Sequence, residues 1–361
     1  MGVDDRIEEL EEKLQKTPVN KATEKERGRL KSQIAQLKEE KQKKQKGTGE
    51  TSGYAVEKTG DATVALVGFP SVGKSTLLNE LTNAEVDTGA YEFTTLEVNP
   101  GVLKYKGADI QILDVPGLIG GAADGRGGGT QVLSVVRNAD LILVVLDPEE
   151  LRDDEIRDEI YKAGLRTDSK PPNMKIEKKD RGGIGISSTV DLDIEEETIR
   201  DLMRQNGYGN AEVIIREEMG IDRFIDGLMD NRRYLPSLEV VNKSDKVSQS
   251  RKEELGGRFD LLVSANTGKN LDVLKQRIFE EIGLIRVYMK EKNQDPDKDE
   301  PLMLDKGSTV EDALETLPGD MKQKFKHARV TGSSSKFPEQ KVGEDHQLED
   351  EDVLQLNLKR I

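Results

Sequence analysis

The chain has 361 residues, enough for about two to three domains of ordinary size, and 70 acidic against 55 basic residues give it a net charge of −15. This acidity argues against a surface that attracts nucleic acid throughout and leaves room for local basic patches. The chain has no cysteine and two histidines, which excludes disulfides, thiolate nucleophiles and multi-histidine metal centres. Because no apolar run reaches about 18–20 residues and the start is acidic and polar, we expect a cytoplasmic protein without a membrane span or signal peptide.

Residues 1–48 predict a helical hairpin. Apolar residues recur at helical spacing on both sides of Thr17-Pro18, where the pattern breaks. The segment ends in the lysine-rich run Lys41–Lys46, which is either a solvated helix end or a contact for RNA phosphates. The Gly/Ser/Thr-rich stretch that follows is typical of a linker.

The middle of the chain predicts an α/β domain over residues 60–164 and 236–283. Its short apolar runs are TVALVGF, IQILDV, LILVVLD, LEVVN and DLLVSA, which alternate with helix-like or glycine-rich segments. Such runs are typical of strands that are buried on both faces of a parallel sheet. The intervening residues 165–235, roughly seventy of them, are too many for a bare loop, so we predict an inserted α+β domain.

The last part of the chain, residues 284–361, predicts a small β-grasp-like domain. It begins with the strand-like run IRVYMK, continues with a capped helix in STVEDALETL, and ends in the alternating run LEDEDVLQLNLKRI. The basic stretch Lys322–Arg329 is interpreted as a solvated helix or as an RNA contact.

A phosphate-binding motif lies between the first core strand and a helix. The segment Gly68–Ser75 reads GFPSVGKS and matches G-x-x-x-x-G-K-[ST] in the strand–loop–helix context that the motif requires. Its glycines let backbone N–H groups surround phosphates, and the helix N-terminus adds its positive end. We predict that Lys74 contacts the β- and γ-phosphates and that the Ser75 hydroxyl binds Mg²⁺. The predicted nucleotide contacts here are Gly68, Phe69, Pro70, Ser71, Val72, Gly73, Lys74, Ser75 and Thr76.

Three further segments, each at the carboxyl end of a predicted strand, favour GTP over ATP. Asp114 begins the sequence DVPG, where its carboxylate is placed to hold Mg²⁺ through water and the Gly117 N–H can sense the γ-phosphate. In NKSD, the Asp245 carboxylate can accept hydrogen bonds from guanine N1–H and the exocyclic amine, donors that adenine lacks there. Together the motifs predict the ligand crevice of an open α/β sheet. The predicted base contacts are Asn242, Lys243, Asp245, Ser264, Ala265 and Asn266.

The sequence lacks the water-orienting glutamine of Ras-type enzymes, because the position after the DxxG glycine is Leu118. We therefore expect slow intrinsic hydrolysis unless a cation or another group supplies this function. Thr95 is the candidate switch hydroxyl that completes the Mg²⁺ shell with Ser75 and Asp114, although Thr94 and Thr95 are also typical of an ordinary strand. The predicted catalytic residues are Lys74, Thr95 and Gly117.

Long runs spread over nearly the whole chain are specific enough to indicate a family. They include GFPSVGKSTLLNELT, YEFTTLEVNPGVLKYKGADIQILDVPGLIGGA, KPPN with KKDRGGI, NKSD, and LIRVYMK with HQLEDEDVLQLNLK. These runs resemble the Obg branch of translation-associated GTPases, and most closely its developmentally regulated GTP-binding (DRG) proteins of archaeal type. The resemblance implies an α/β P-loop GTPase domain with a mostly parallel sheet, a helix-turn-helix-like hairpin, an inserted ribosomal-protein-like domain and a C-terminal TGS domain. It also implies GTP hydrolysis, association with ribosomes or RNA, and a stabilising partner protein.

Two departures from the family pattern leave questions about mechanism open. Ser71 stands where relatives that use a potassium ion carry asparagine, which weakens a K⁺-assisted mechanism without removing it. Gly127–Gly129 replaces a more basic stretch, so contacts to the ribosome or a partner can differ there. The alternative to a GTPase is a nucleotide-gated RNA or ribosome scaffold with negligible hydrolysis, and a second alternative, an ATPase, is disfavoured by Asp245. We expect no oligomer.

Overall fold

The computed structural model describes residues 2–47, 60–82, 99–115, 129–229, 231–292, 294–319 and 321–359. Within these ranges the chain forms a helical hairpin and four sheets, of six, two, three and five strands. The described part of the chain contains no helix that is both long enough and apolar enough to cross a membrane.

The predicted N-terminal hairpin is confirmed. It consists of α1 (Val3–Lys16) and α2 (Glu24–Gly47), which pack against each other. The first helix ends at Thr17, whose backbone is extended because the residue before a proline avoids the helical region. Arg27 fastens the turn, since its guanidinium donates hydrogen bonds to the carbonyls of Leu14 and Thr17.

Strands and helices alternate in the first half of the core, as the sequence predicts, except that the strand Asn99–Tyr105, which is not among the predicted runs, directly precedes the strand Ala108–Asp114. They are β1 (Ala62–Val67), α3 (Lys74–Thr82), β2 (Asn99–Tyr105), β3 (Ala108–Asp114), α4 (Gly129–Asn138), β4 (Leu141–Leu146) and α5 (Asp153–Lys162). Every residue of β1 and β4 is buried, as expected for strands that are covered on both faces.

A small α+β unit interrupts the core. Its elements are β5 (Leu165–Thr167), β6 (Met174–Lys178), β7 (Ile184–Ser188), α6 (Glu196–Gln205), β8 (Ala211–Ile215), α7 (Ile221–Leu228) and β9 (Arg233–Leu235). Strands β6, β8 and β7 form one sheet, and β5 pairs in parallel with β9 where the unit joins the core. Arg137, at the end of α4, donates to the carbonyls of Ala163 and Asn231, so one side chain ties both connections to the core.

The chain then returns to the six-stranded sheet. The remaining core elements are β10 (Ser237–Val241), α8 (Gln249–Gly256), β11 (Leu261–Leu262) and α9 (Leu271–Ile282). The strand order is β11-β10-β4-β1-β3-β2, and all neighbours are parallel except β2 and β3. Leu66 packs toward α3 and α9, whereas Val67 packs toward α4 and α5, so helices cover both faces. The carboxyl ends of the parallel strands therefore meet at one edge, where open α/β sheets bind ligands.

The C-terminal unit is a five-stranded sheet with two short helices. Its elements are β12 (Leu284–Met289), β13 (Leu302–Asp305), α10 (Val310–Thr316), α11 (Met321–Lys324), β14 (Phe325–Thr331), β15 (Gln340–Val342) and β16 (Asp352–Leu358). The strand order is β13-β12-β16-β14-β15. The predicted helix cap is confirmed, because the Asp312 N–H donates to the Thr309 hydroxyl and the Asp312 carboxylate accepts from the Thr309 N–H.

The interpretation of Lys322–Arg329 as a solvated helix is wrong. Only Met321–Lys324 is helical, and the rest of the stretch belongs to β14. A β-bulge between Phe325 and His327 shifts the register, so that the buried residues are Phe325, Ala328 and Val330. Because of the bulge, the buried residues Phe325 and Ala328 are three positions apart, a spacing that in the sequence is typical of a helix.

Ion pairs attach the hairpin to the inserted unit. Lys25 and Arg29 of α2 both reach the Asp201 carboxylate, at 2.9 and 2.6 Å, and Lys31 lies 2.6 Å from Asp222. These three basic side chains of α2 are thus paired with carboxylates of the inserted unit.

A buried ionic cluster stabilises the base of the inserted unit. The Asp226 carboxylate on α7 accepts two hydrogen bonds from Arg166, at 2.5 and 2.7 Å, and a third from Arg232 at 2.6 Å. Arg166 and Asp226 are both buried, and the Arg166 guanidinium also stacks on the Tyr161 ring. Removing one partner of such a cluster leaves a buried charge without compensation.

We expect Asp226→Ala to lower the free energy of unfolding of the inserted unit by about 3–5 kcal/mol, because two arginines lose their buried counterion. Urea unfolding, followed by hydrogen exchange of the amides in β6 and β8, measures the effect. Asp222→Ala is the matched control on the same helix, since Asp222 is exposed and its loss should cost less than about 1 kcal/mol. Equal effects of the two substitutions would contradict the assignment.

Candidate functional site

The loop between β1 and α3 has a shape that only glycine permits at two positions. Gly73 has a φ of +93°, and a Cβ atom there would lie 2.5 Å from Nδ2 of Asn242. At Gly68 a Cβ atom would lie 2.4 Å from the carbonyl oxygen of Val145. Ser71 also adopts a left-handed conformation, with a φ of 66°, which is uncommon for a residue with a side chain. The loop is therefore fitted closely against β4 and the NKSD segment.

Asn242 joins three loops at the carboxyl edge of the sheet. Its side chain is buried, and Nδ2 donates to the carbonyl of Val72 at 3.0 Å. Its Oδ1 accepts from the backbone N–H of Ala265, also at 3.0 Å. The amide thus holds the phosphate-binding loop, the NKSD segment and the Ser264-Ala265-Asn266 segment in one arrangement.

Lys243 makes a second connection between NKSD and the phosphate-binding loop. Its ammonium donates to the carbonyl of Ser71 at 2.6 Å and to the carboxylate of Asp147 at 2.7 Å. This carboxylate also accepts from the Glu149 N–H, and although burial raises the pKa of Asp147, these two hydrogen bonds lower it below its ordinary value. The lysine is therefore held by an ionised partner.

Asp245 presents its carboxylate at the open side of the site. The side chain is exposed, and Oδ1 accepts a hydrogen bond of 2.5 Å from the Ser264 hydroxyl. This hydrogen bond lowers the pKa of Asp245, so the group is ionised near neutral pH. An ionised carboxylate can accept two N–H donors from a planar base.

The phosphate side of the site combines a cation with oxygen ligands. The Lys74 ammonium donates to the carbonyls of Gly68 and Phe69, and burial lowers its pKa, an effect that the Asp114 carboxylate opposes. The Ser75 hydroxyl donates to Asp114 at 2.5 Å. A hydroxyl and a carboxylate this close fit Mg²⁺, which binds through one or two protein oxygens together with phosphates and water. The described residues contain no cluster of three or more His, Cys, Asp or Glu side chains that could hold a metal ion.

These loops enclose a cleft of about 360 Å³, a volume typical of a small-molecule site. Its lining consists of ten residues that the sequence analysis singled out: Ser71, Gly73, Lys74, Ser75, Thr76, Asn242, Lys243, Asp245, Ala265 and Asn266. Gly68, Phe69, Val72, Asp114 and Ser264 support this lining from behind through the hydrogen bonds given above. Pro70 lies on the exposed outer side of the loop. Thr95 and Gly117, like Leu118, lie outside the described residues.

Two residues at the site are absent from the sequence predictions. Asp147, the partner of Lys243, follows β4 at the same edge as the motifs, and this position could have marked it. Arg152 stacks on the ring of Phe69, with its guanidinium carbon 3.6 Å from the ring centroid and a left-handed φ of 44°. The sequence gives no signal for this stacking contact.

Three family models match consecutive parts of the chain. Residues 63–178 match the model described as a 50S ribosome-binding GTPase, and residues 181–284 match the C-terminal region of that domain. Residues 285–357 match the TGS domain. The GTPase-type core, the extension and the C-terminal sheet thus have the expected fold.

Full-length relatives place the chain more narrowly. A GTP-binding protein of Methanocaldococcus jannaschii is 50% identical over 369 residues, which cover 100% of this chain and 94% of that protein. Developmentally-regulated GTP-binding protein 2 of Homo sapiens is 39% identical over 363 residues, which cover 99% of both chains. The crystal structure of a GTP-binding protein from Pyrococcus horikoshii OT3 aligns with 82% of this chain and 99% of that one, at 16% identity and a TM-score of 0.42. That likeness is too distant to support an argument.

We expect Gly73→Ala to weaken nucleotide binding by at least about ten-fold, because the added methyl group would strike Asn242 at a residue with positive φ. Equilibrium titration with a fluorescent guanine nucleotide measures the effect. Gly207→Ala is the matched control, because Gly207 also has a positive φ, +81°, but no neighbour lies within 4 Å of the position of its Cβ. Equal affinities of the two variants would contradict the role of the close fit.

Proposed function

The chain belongs to the developmentally regulated GTP-binding proteins, and from this premise we propose that it hydrolyses GTP to GDP and phosphate. The observation that carries the proposal is the single cleft in which the GKS, NKSD and Ser264-Ala265-Asn266 segments meet, with Asp114 beside Ser75. The Ser75–Asp114 pair is placed for the Mg²⁺ complex of the nucleotide, which is the form that hydrolysis requires.

In the proposed reaction, side chains of the phosphate-binding loop stabilise negative charge on the transferring phosphoryl group. The Lys74 ammonium exchanges its carbonyl partners for the β- and γ-phosphate oxygens. Ser75 and Asp114 would hold Mg²⁺, which would supply positive charge against the negative charge that develops on the phosphoryl group. Burial leaves the Lys74 ammonium less well solvated by water, which lowers its pKa and strengthens its interaction with an anion.

Guanine recognition is assigned to the opposite end of the cleft. Asp245 accepts from the base N1–H and exocyclic amine, Asn242 holds the surrounding loops, and the backbone of the Ser264-Ala265-Asn266 segment supports the base oxygen. Lys243 covers the base while its ammonium stays attached to Ser71 and Asp147. An adenine base would leave the Asp245 carboxylate without its two donors.

Thr95 and Gly117 complete the proposed catalytic set as the switch hydroxyl and the γ-phosphate contact. With Leu118 in place of a glutamine, intrinsic hydrolysis is slow, and a ribosome, a partner protein or a monovalent cation completes the site. K⁺ is the weaker candidate because Ser71 replaces the asparagine that would ligate it.

We further propose that the protein acts on or near the ribosome in the cytoplasm, with a stabilising partner protein. The matching family model is described as a ribosome-binding GTPase, and the TGS unit carries the exposed basic residues Lys326, Arg329 and Lys341 on adjacent strands. In this proposal, residues 1–48 form the hairpin, 60–164 with 236–283 the GTPase domain, 165–235 the insertion and 284–361 the TGS domain.

Single-turnover hydrolysis of GTP, with and without ribosomes and in sodium or potassium salts, tests the activity. We expect a slow basal rate that ribosomes accelerate, because the water-orienting group is missing from the isolated chain. Ser75→Ala serves as the inactive control. A wild-type rate that stays at the level of Ser75→Ala in all four conditions would favour the scaffold.

We expect Asp245→Asn to weaken GTP binding by at least about ten-fold and to favour xanthosine triphosphate, whose base accepts where guanine donates. Competition titrations with the two nucleotides measure this preference. Asp260→Asn is the matched control, since that carboxylate accepts from the Glu239 N–H in β10 and Asp260 is not among the residues that line the cleft. An unchanged preference for guanine, or tighter binding of ATP by the wild type, would remove Asp245 from the site.

A further inference from the structure

A carboxylate outside all four motifs lies against the nucleotide cleft. Asp147 directly follows β4, and one of its oxygens accepts from the Glu149 N–H at 2.9 Å, which fixes the side chain in a local turn. The other oxygen lies 2.7 Å from the Lys243 ammonium. The side chains of Asp147 and Lys243 are only 19% and 24% exposed, so solvent screens this ion pair less than a surface pair.

The ion pair continues into the phosphate-binding loop. The same Lys243 ammonium donates to the carbonyl of Ser71 at 2.6 Å. Both Ser71 and Lys243 have left-handed backbones, with φ of 66° and 56°, a conformation that costs energy for residues with side chains. The Lys243 ammonium thus connects its own strained loop with the strained loop at Ser71, and the Asp147 carboxylate fixes that ammonium in place.

We propose that Asp147 is a positioning residue of the nucleotide site, which holds Lys243 against the Ser71 carbonyl and thereby sets the rate at which bound guanine nucleotide leaves. Asp147 acts through the lysine and touches no nucleotide itself. Without the carboxylate, the ammonium is free to turn toward solvent, and both strained loops lose the contact that holds them. Lys243 and Ser71 both line the cleft, and neither is assigned to the γ-phosphate, so we expect the effect for both GDP and GTP.

This inference rests on the proposed function, since it requires a site that binds guanine nucleotide. It differs from the role of Asp245, which selects the base. Loss of Asp147 should shorten residence without changing the preference between guanine and xanthine, whereas loss of Asp245 should change the preference. The two assignments therefore predict different outcomes in the same assay.

The test is the dissociation rate of a fluorescent GDP analogue, measured by stopped flow with excess unlabelled GDP on the full-length chain. We expect Asp147→Asn to raise this rate about ten-fold, because the isosteric amide keeps an acceptor for Glu149 but loses the charge that holds the ammonium. Asp147→Glu should recover part of the slow rate. Asp168→Asn is the matched control, because Asp168 accepts from Ser237 and contacts no residue of the cleft.

A double-mutant cycle with Lys243→Met separates positioning from general destabilisation. If Asp147 acts through the lysine, Asp147→Asn should have no further effect on dissociation in the Lys243→Met background. An equal acceleration in both backgrounds, or a wild-type rate in Asp147→Asn, overturns the inference while leaving GTP binding intact. If the wild type fails to bind the analogue, the proposed function falls and this inference falls with it.

Discussion

The buried amide of Asn242 links loops that follow three different strands of the sheet. Its donor and acceptor are both satisfied, by the Val72 carbonyl and the Ala265 N–H, and neither loop can move without leaving a buried polar group unpaired. The same amide excludes a side chain at position 73, because a Cβ atom on Gly73 would lie 2.5 Å from Nδ2 of Asn242. The strand order brings the three loops together, Gly73 leaves room for the Asn242 amide, and that amide holds the loops in place. Together these features form the cleft in the protein without a ligand.

The sequence predicts those parts of the fold in which local pattern and burial agree. Strands β1 and β4 are apolar at every position because helices cover both faces, and the motifs follow such strands, so the edge that carries the site could be inferred. Strand β14 was not predicted because a β-bulge interrupts its alternation of buried and exposed residues. Asp147 and Asp226 were not predicted because their partners Lys243 and Arg166 lie 96 and 60 residues away along the chain, and acidic residues abound in a chain with a charge of −15.

The inserted unit is joined to the core by more than its two connecting segments. Arg137, at the end of α4, donates hydrogen bonds to one carbonyl in each connecting segment. The two segments are also hydrogen-bonded to each other through the parallel strands β5 and β9. The position of α4 is thus tied to that of the inserted unit by one side chain, which holds carbonyls on both connections.

The ion pairs between α2 and the inserted unit also determine what the hairpin presents to a distant molecule. Lys25, Arg29 and Lys31 are matched by carboxylates on α6 and α7, so their fields largely cancel beyond a few ångströms. Diffusional capture of a polyanion therefore gains little from this stretch of helix, despite its basic sequence.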